Sequence, residues 1–160
     1  MTKEESNRLN TLLRHINNVQ TNCRLLAERL IDKGENDFAR TLIANSMAHD
    51  NSKFFGIEWL YLHGDVKEQD SKSFALAAQQ HIYGRSNKHH PEGWGGIKNM
   101  PRIHLAELVC DWKSRSDEFG NDLRTWIRGK GTKQYDFAIQ SKVYKIVKEF
   151  VDMLLDPEFQ

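Results

Sequence analysis

Leu9-Asn10-Thr11-Leu12-Leu13-Arg14-His15-Ile16-Asn17-Asn18-Val19 opens a run that continues through Cys23, Leu26 and Leu30. Its apolar residues return at steps of three and four, the period at which side chains share one face of an α-helix. Thr2 or Ser6 is placed to cap the start of this helix, and Gly34 to end it. His15 falls between Leu12 and Val19, at the edge of the apolar stripe, so its imidazole can point inward.

The same period continues along the chain. Asn36 reads as the N-cap of a second helix through Phe38, Leu42, Ile43 and Met47, whose end delivers His49-Asp50. A third helical stretch is predicted over residues 54–62. Gly64 and the charged run 65–70 read as a turn. Ser71 then caps a fourth helix, 72–83, with His81 in its last turn. Residues 84–101 are rich in glycine and contain Pro91 and Pro101, which reads as a loop; a loop of that length inside a domain is often functional.

A fifth helix begins near Pro101, with Leu105, Leu108, Val109 and Trp112 on its apolar face and Asp111 beside them. A short helix is predicted over 122–128. A last one runs over 137–155, with Ile139, Val143, Ile146, Val147, Phe150, Val151 and Leu154 as its stripe and Pro157 as its stop. No stretch alternates like a strand, nothing repeats, and no linker divides the chain. The expectation is an all-α fold, one domain over residues 1–160 with about six to seven helices.

A chain of 160 residues, 39% apolar and 28% charged, suits one soluble domain with a real core. A net charge of +1 gives no global electrostatic case for nucleic acid or a membrane surface. The polar start and the lack of a long apolar run predict neither a signal peptide nor a spanning segment, hence a cytoplasmic protein. Cys23 and Cys110 lack CxxC spacing and read as reduced thiols.

The chemistry-bearing residues run in the order His15, His49-Asp50, His81, His89-His90, Asp111. Imidazole nitrogens mixed with carboxylate oxygens suit Mn, Fe, Co, Ni or Zn, and the absence of a cysteine cluster argues against a structural zinc. These residues are therefore candidate ligands of one or two divalent transition-metal ions. Asp50 could bridge two ions, because each carboxylate oxygen can take one.

This order resembles the HD superfamily of metal-dependent phosphohydrolases. A His on one helix, a His-Asp pair at the end of another and a later Asp are matched by His15, His49-Asp50 and Asp111. His49-Asp50-Asn51-Ser52-Lys53 resembles the HD-x-x-K form. Asn87-Lys88-His89-His90-Pro91-Glu92-Gly93-Trp94-Gly95-Gly96 is similar to the HHE…G region of the HD-GYP branch, with Gly93-Trp94-Gly95 where the GYP tripeptide would stand. Leu105 to Trp112 resembles the helix that carries the final Asp ligand. The whole ordering also looks like a small uncharacterised family of phage and bacterial proteins. The resemblance spans residues 12–117 and leaves 118–160 as a C-terminal helical extension.

The resemblance implies an HD-like domain that hydrolyses a nucleotide or another small phosphate ester, in a host cytoplasm if phage-encoded. Asp50, Lys53 and Glu92 are the expected catalytic residues. Lys53, as a point charge, Asn87 and Trp94 are the expected substrate contacts. Two rival readings accompany it: an HD-type di-iron oxygenase, and a nucleotide-binding protein without turnover. A homodimer is compatible with either class.

Other signals read as ordinary. His63 and His104 are expected at the surface, and Glu58 and Tyr61 fit solvation or packing as well as a cleft. Gly129-Lys130-Gly131-Thr132 is not a phosphate-binding P-loop, since Arg124 stands where its first glycine belongs. Arg124, Arg128, Lys130, Lys133, Lys142, Lys145 and Lys148 form a basic stretch whose only acid is Asp136. It reads as a solvated face able to draw an anion toward a cleft.

Overall fold

Thr2 caps the first helix. Its Oγ1 accepts from the Glu5 amide at 3.1 Å, and Glu5 Oε2 accepts from the Thr2 amide at 2.7 Å. This reciprocal box starts α1, Lys3–Asp32. The chain leaves α1 through Gly34 at φ +81°, and the Glu35 amide donates back to the Leu30 carbonyl at 2.9 Å. That closure needs the left-handed conformation glycine adopts without penalty. The computed structural model describes residues 1–155; the expected stop at Pro157 lies outside the described residues.

Because Glu35 is committed to closing α1, it also takes the cap position of α2, Asn36–Ala48, so Asn36 is the first helical residue rather than the cap. A 3-10 turn, Asn51–Phe54, leads into α3, Gly56–Tyr61. The charged run expected as a turn is helical instead: it forms α4, Gly64–Gln69, where Asp65 pairs with Arg8 of α1. Asp70, not Ser71, caps α5, Ser71–Tyr83, its carboxylate accepting from the Ser73 amide at 3.0 Å. The long loop follows, with 3-10 turns at Pro91–Trp94 and Ile97–Asn99.

α6, Arg102–Phe119, begins just after Pro101. The predicted short helix extends further than 122–128: α7, Leu123–Trp126, runs through a π-helical turn, Ile127–Gly131, into α8, Thr132–Gln134. The last helix, α9, Lys142–Leu155, starts later than residue 137. Ser141 Oγ accepts from the Tyr144 amide at 3.2 Å and fixes that start. Ile139 therefore stands before the helix and is half exposed, while Phe137 turns into the core.

α1 is the central strut, packed against α2, α6 and α9. Val19, Cys23, Leu26 and Leu30 have no exposed surface and meet Leu42, Leu105, Val109 and Phe150 in one core. Each such side chain contributes about 1.5–3 kcal/mol on leaving water. Cys23 and Cys110 are buried and free. Arg102 pairs with Glu35 and Glu149 and lies over the Phe38 ring at 4.6 Å, tying α6 to the α1–α2 corner and to α9. Among the described residues there is no strand, and no helix is long and apolar enough to cross a membrane. The fold is all-α. α3 and α4 both pack on α5, and the histidines gather between this group and the α1–α6 pair.

Candidate metal centre

Asp50 sits in the left-handed region, at φ +57°. Asp tolerates this conformation better than most residues, but it still carries strain of about 1 kcal/mol or more. The bend stops α2, turns the chain into the 3-10 turn and buries both His49 and Asp50. It also brings Lys53 Nζ back to 2.6 Å from Asp50 Oδ2.

The two oxygens of Asp50 face different histidines. Oδ2 is 3.7 Å from both His15 Nε2 and His49 Nε2. Oδ1 is 3.2 Å from His81 Nε2 and 3.6 Å from His89 Nε2. Asp111 Oδ1, from α6, lies 3.1 Å from His15 Nε2. The donor atoms of the expected ligands fall into two sets, each within 4.8 Å of one another: His15, His49 and Asp111; and Asp50, His81, His89 and His90; a third set joins His49 and His89 to Glu107. The seven ligands expected from the sequence thus converge. His89 and His90 both join the second set, their rings 4.2 Å apart.

Behind the imidazoles stands a layer of carboxylates that sequence reading did not assign. His15 Nδ1 is 2.9 Å from Glu118, His49 Nδ1 is 3.0 Å from Glu107, and His81 Nδ1 is 2.8 Å from Glu58. His89 Nδ1 lies 3.3 Å from the same Glu107 oxygen. A carboxylate at Nδ1 holds a proton there and turns Nε2 inward, where a metal can take it once it is deprotonated. Ser52 Oγ donates to Glu58 at 2.7 Å, and Asn87 Nδ2 donates to Ser52 Oγ at 2.8 Å and to the His81 carbonyl at 3.1 Å. Gly84 ends α5 at this point: a Cβ there would meet the Gln80 carbonyl at 2.9 Å. The signal for two of these acids was in α6, where Glu107, Asp111 and Glu118 recur on one face.

Other expected site residues lie elsewhere. Glu92 is exposed and belongs to none of these donor sets. Trp94 donates to the Lys88 carbonyl at 2.9 Å, stacks on His104 at 5.3 Å, and lines a small pocket of about 200 Å³ together with Asn87 and His90. Asn87 is buried, and its Nδ2 holds Ser52 and the His81 carbonyl. His104, expected at the surface, is half buried beneath Trp94, and burial lowers its pKa. His63 donates to the Trp59 carbonyl but also lines the main cleft.

The electrostatics are those of a site short of positive charge. Burial opposes ionisation of Asp50, yet Lys53 and His49 hold its carboxyl well below the usual range. Burial also opposes a low value at Asp111, and His15, 3.1 Å away, overcomes it. Glu107, buried but bonded to His49 and His89, falls to about 2. At His49, burial favours the neutral ring, but Asp50 and Glu107 together raise it to about 9. His90, pushed down to about 3 by burial and by its histidine neighbours, is neutral.

His15, His49, His81, His89 and His90 Nε2, together with Asp50 Oδ1 and Asp111 Oδ1, are buried without a hydrogen-bond partner. Leaving a buried polar atom unpaired costs about 1–3 kcal/mol. Seven such atoms, aimed together into one space, fit cations that take their lone pairs, and the nitrogen–oxygen donor set suits divalent transition metals.

Fold and centre together define an all-helical protein with a buried histidine–aspartate cluster able to hold metal. The chain belongs to the family described as "Family of unknown function (DUF5662)", which matches residues 4–154. No curated protein and no solved structure matches it.

Proposed function

We propose that the protein is a metal-dependent phosphohydrolase of the HD type, acting on a nucleotide or a small phosphate ester. The observation that carries this reading is the orientation of the histidines: carboxylates grip the outer Nδ1 of His15, His49 and His81, and the inner Nε2 atoms are left unpaired. His15, His49 and Asp111 would hold one ion together with Asp50 Oδ2. Asp50 Oδ1, His81, His89 and His90 would hold a second. Divalent ions bound there supply positive charge to phosphoryl oxygens and make water acidic enough to attack at neutral pH.

The chain's own residues supply the rest. A cleft of about 540 Å³ opens on Asp50, His81, His89, His90 and Asp111, and its cationic side chains are Lys53, Lys67 and Arg115. A second cleft, about 470 Å³, reaches His15 and shares Lys53 and Arg115 with the first. The acids lining the main cleft are the two ligand aspartates, so its remaining charge favours an anion. Lys53 offers a compact ammonium to a phosphoryl oxygen. Arg115, whose guanidinium is oriented by Glu118 at 3.2 Å, offers a planar fork to two. These cations favour an anionic substrate such as a phosphoester over an uncharged one.

The test is elemental analysis of the purified protein beside Asp50→Ala, followed by a phosphoester screen with Mn, Co, Ni, Mg and Fe. Metal in the wild type, none in the variant, and phosphate released only by the former are expected. No metal in either and no turnover with any ion would overturn the reading. Metal and tight nucleotide binding without turnover would leave a binding protein.

A further inference from the structure

We propose that Trp126 and Tyr135, both from the C-terminal segment, join Trp112 in a subsite that stacks the planar base of the phosphorylated substrate. The proposal deepens the phosphoester reading and rests on it for the phosphate end alone.

Trp112 follows the candidate ligand Asp111 directly on α6, so the aromatic group begins one residue from the metal centre. Tyr135 stacks on the Trp112 ring at 5.3 Å and 30°, and Trp126 meets it at 5.3 Å and 63°. Trp112 is buried beneath them, whereas Trp126 and Tyr135 are only half buried and keep surface toward the cleft they line. α5 adds Phe74, Ala78 and Ile82 to the same cleft. One cavity thus combines aromatic and aliphatic walls with the ligands and with cations. Its volume of about 540 Å³ falls in the range of small-molecule sites, roughly 300–1,000 Å³.

The platform is built rather than incidental. The π-helical turn Ile127–Gly131 lies between Trp126 and Tyr135, and such turns concentrate at functional sites. At Gly131 a Cβ would stand 3.1 Å from Trp126 Cζ3, so glycine lets the indole lie flat against the backbone. A ring held this way loses little freedom when a base stacks on it. Ser116 and Asn121, also in the cleft, offer hydrogen bonds to the base's edge or a sugar hydroxyl.

The test measures binding of AMP, ribose 5-phosphate and inorganic phosphate to metal-loaded protein by calorimetry, in the wild type, Trp126→Ala and Trp126→Phe. AMP is expected to bind about tenfold or more tighter than ribose 5-phosphate in the wild type. Trp126→Ala should remove that advantage and leave ribose 5-phosphate unchanged, and Trp126→Phe should restore most of it. AMP binding no tighter than ribose 5-phosphate in the wild type, or an Ala variant weakened equally for both, would overturn the proposal. The wild-type comparison decides even if Trp126→Ala fails to fold. A base-dependent advantage without turnover of any phosphoester would remove the hydrolase reading and keep the subsite. Turnover indifferent to the base would do the reverse.

Discussion

Lys53 Nζ stands 2.6 Å from Asp50 Oδ2, the oxygen that faces His15 and His49. The lysine therefore occupies, in charge, the place that a cation beside those histidines would take. It also lines both clefts. A metal entering that half of the centre must share Oδ2 with Lys53 or displace its ammonium toward the cleft, where a phosphoryl oxygen would receive it.

Lys53→Met should therefore separate metal binding from turnover. Metal content should be retained or rise, because the competing ammonium is gone. The kcat/KM for a phosphoester should fall by about 10²–10³, as for loss of one charge-stabilising donor. Metal titration paired with steady-state kinetics checks this; loss of both metal and activity would mean that Lys53 merely keeps Asp50 folded in place.

Glu107→Gln should weaken metal binding by about 10–100-fold, since Glu107 faces His49 Nδ1 at 3.0 Å and His89 Nδ1 at 3.3 Å, one histidine from each donor set. Glu58→Gln should affect only the half that holds His81. Competition against a metallochromic dye would show two sites weakened in the first variant and one in the second. Equal behaviour of the two variants would argue against two separate ions.

Chelation should lower the melting temperature of the loaded protein. Metal held at about 100 times its dissociation constant adds about 2.7 kcal/mol, which corresponds to roughly 5–10 °C for a domain of this size. Melting curves with and without EDTA measure it, and unchanged melting would speak against a resident ion.

The pH dependence of the metal-free protein follows from His49. Burial works against its charge, but Asp50 and Glu107 raise its pKa from 6.5 to about 9. A raised folded-state pKa stabilises most below the unfolded value and loses that contribution as pH climbs through the folded one. EDTA-treated protein should hence lose stability between pH 6.5 and about 9. Metal binding in that window should release protons, detectable as a buffer-dependent heat in calorimetry. Melting that improves toward pH 9 would contradict the charged His49.

Much of the framework was legible in the chain. The stripe from Leu9 to Leu30 specified α1 because its apolar period is local, and Thr2 and Gly34 marked its ends for the same reason. The ligand histidines and aspartates stood out because nitrogen–oxygen donor types in that order resemble a known motif. The starts of α2, α5 and α9 differed from expectation wherever a neighbouring residue took the cap, as Glu35, Asp70 and Ser141 did.

The sequence by itself determined most of the helical segments, though not α4 or α8, and which side chains can ligate, since both follow from spacing and functional groups along the chain. Only the tertiary structure decided that Glu58, Glu107 and Glu118 orient the histidines, that Trp94 stacks on His104, and that Trp126 and Tyr135 reach the cleft. Those roles depend on which face of α6 meets α1 and on how the C-terminal segment folds back over it. Packing between elements distant in the chain sets such relations, and local periodicity carries no record of them.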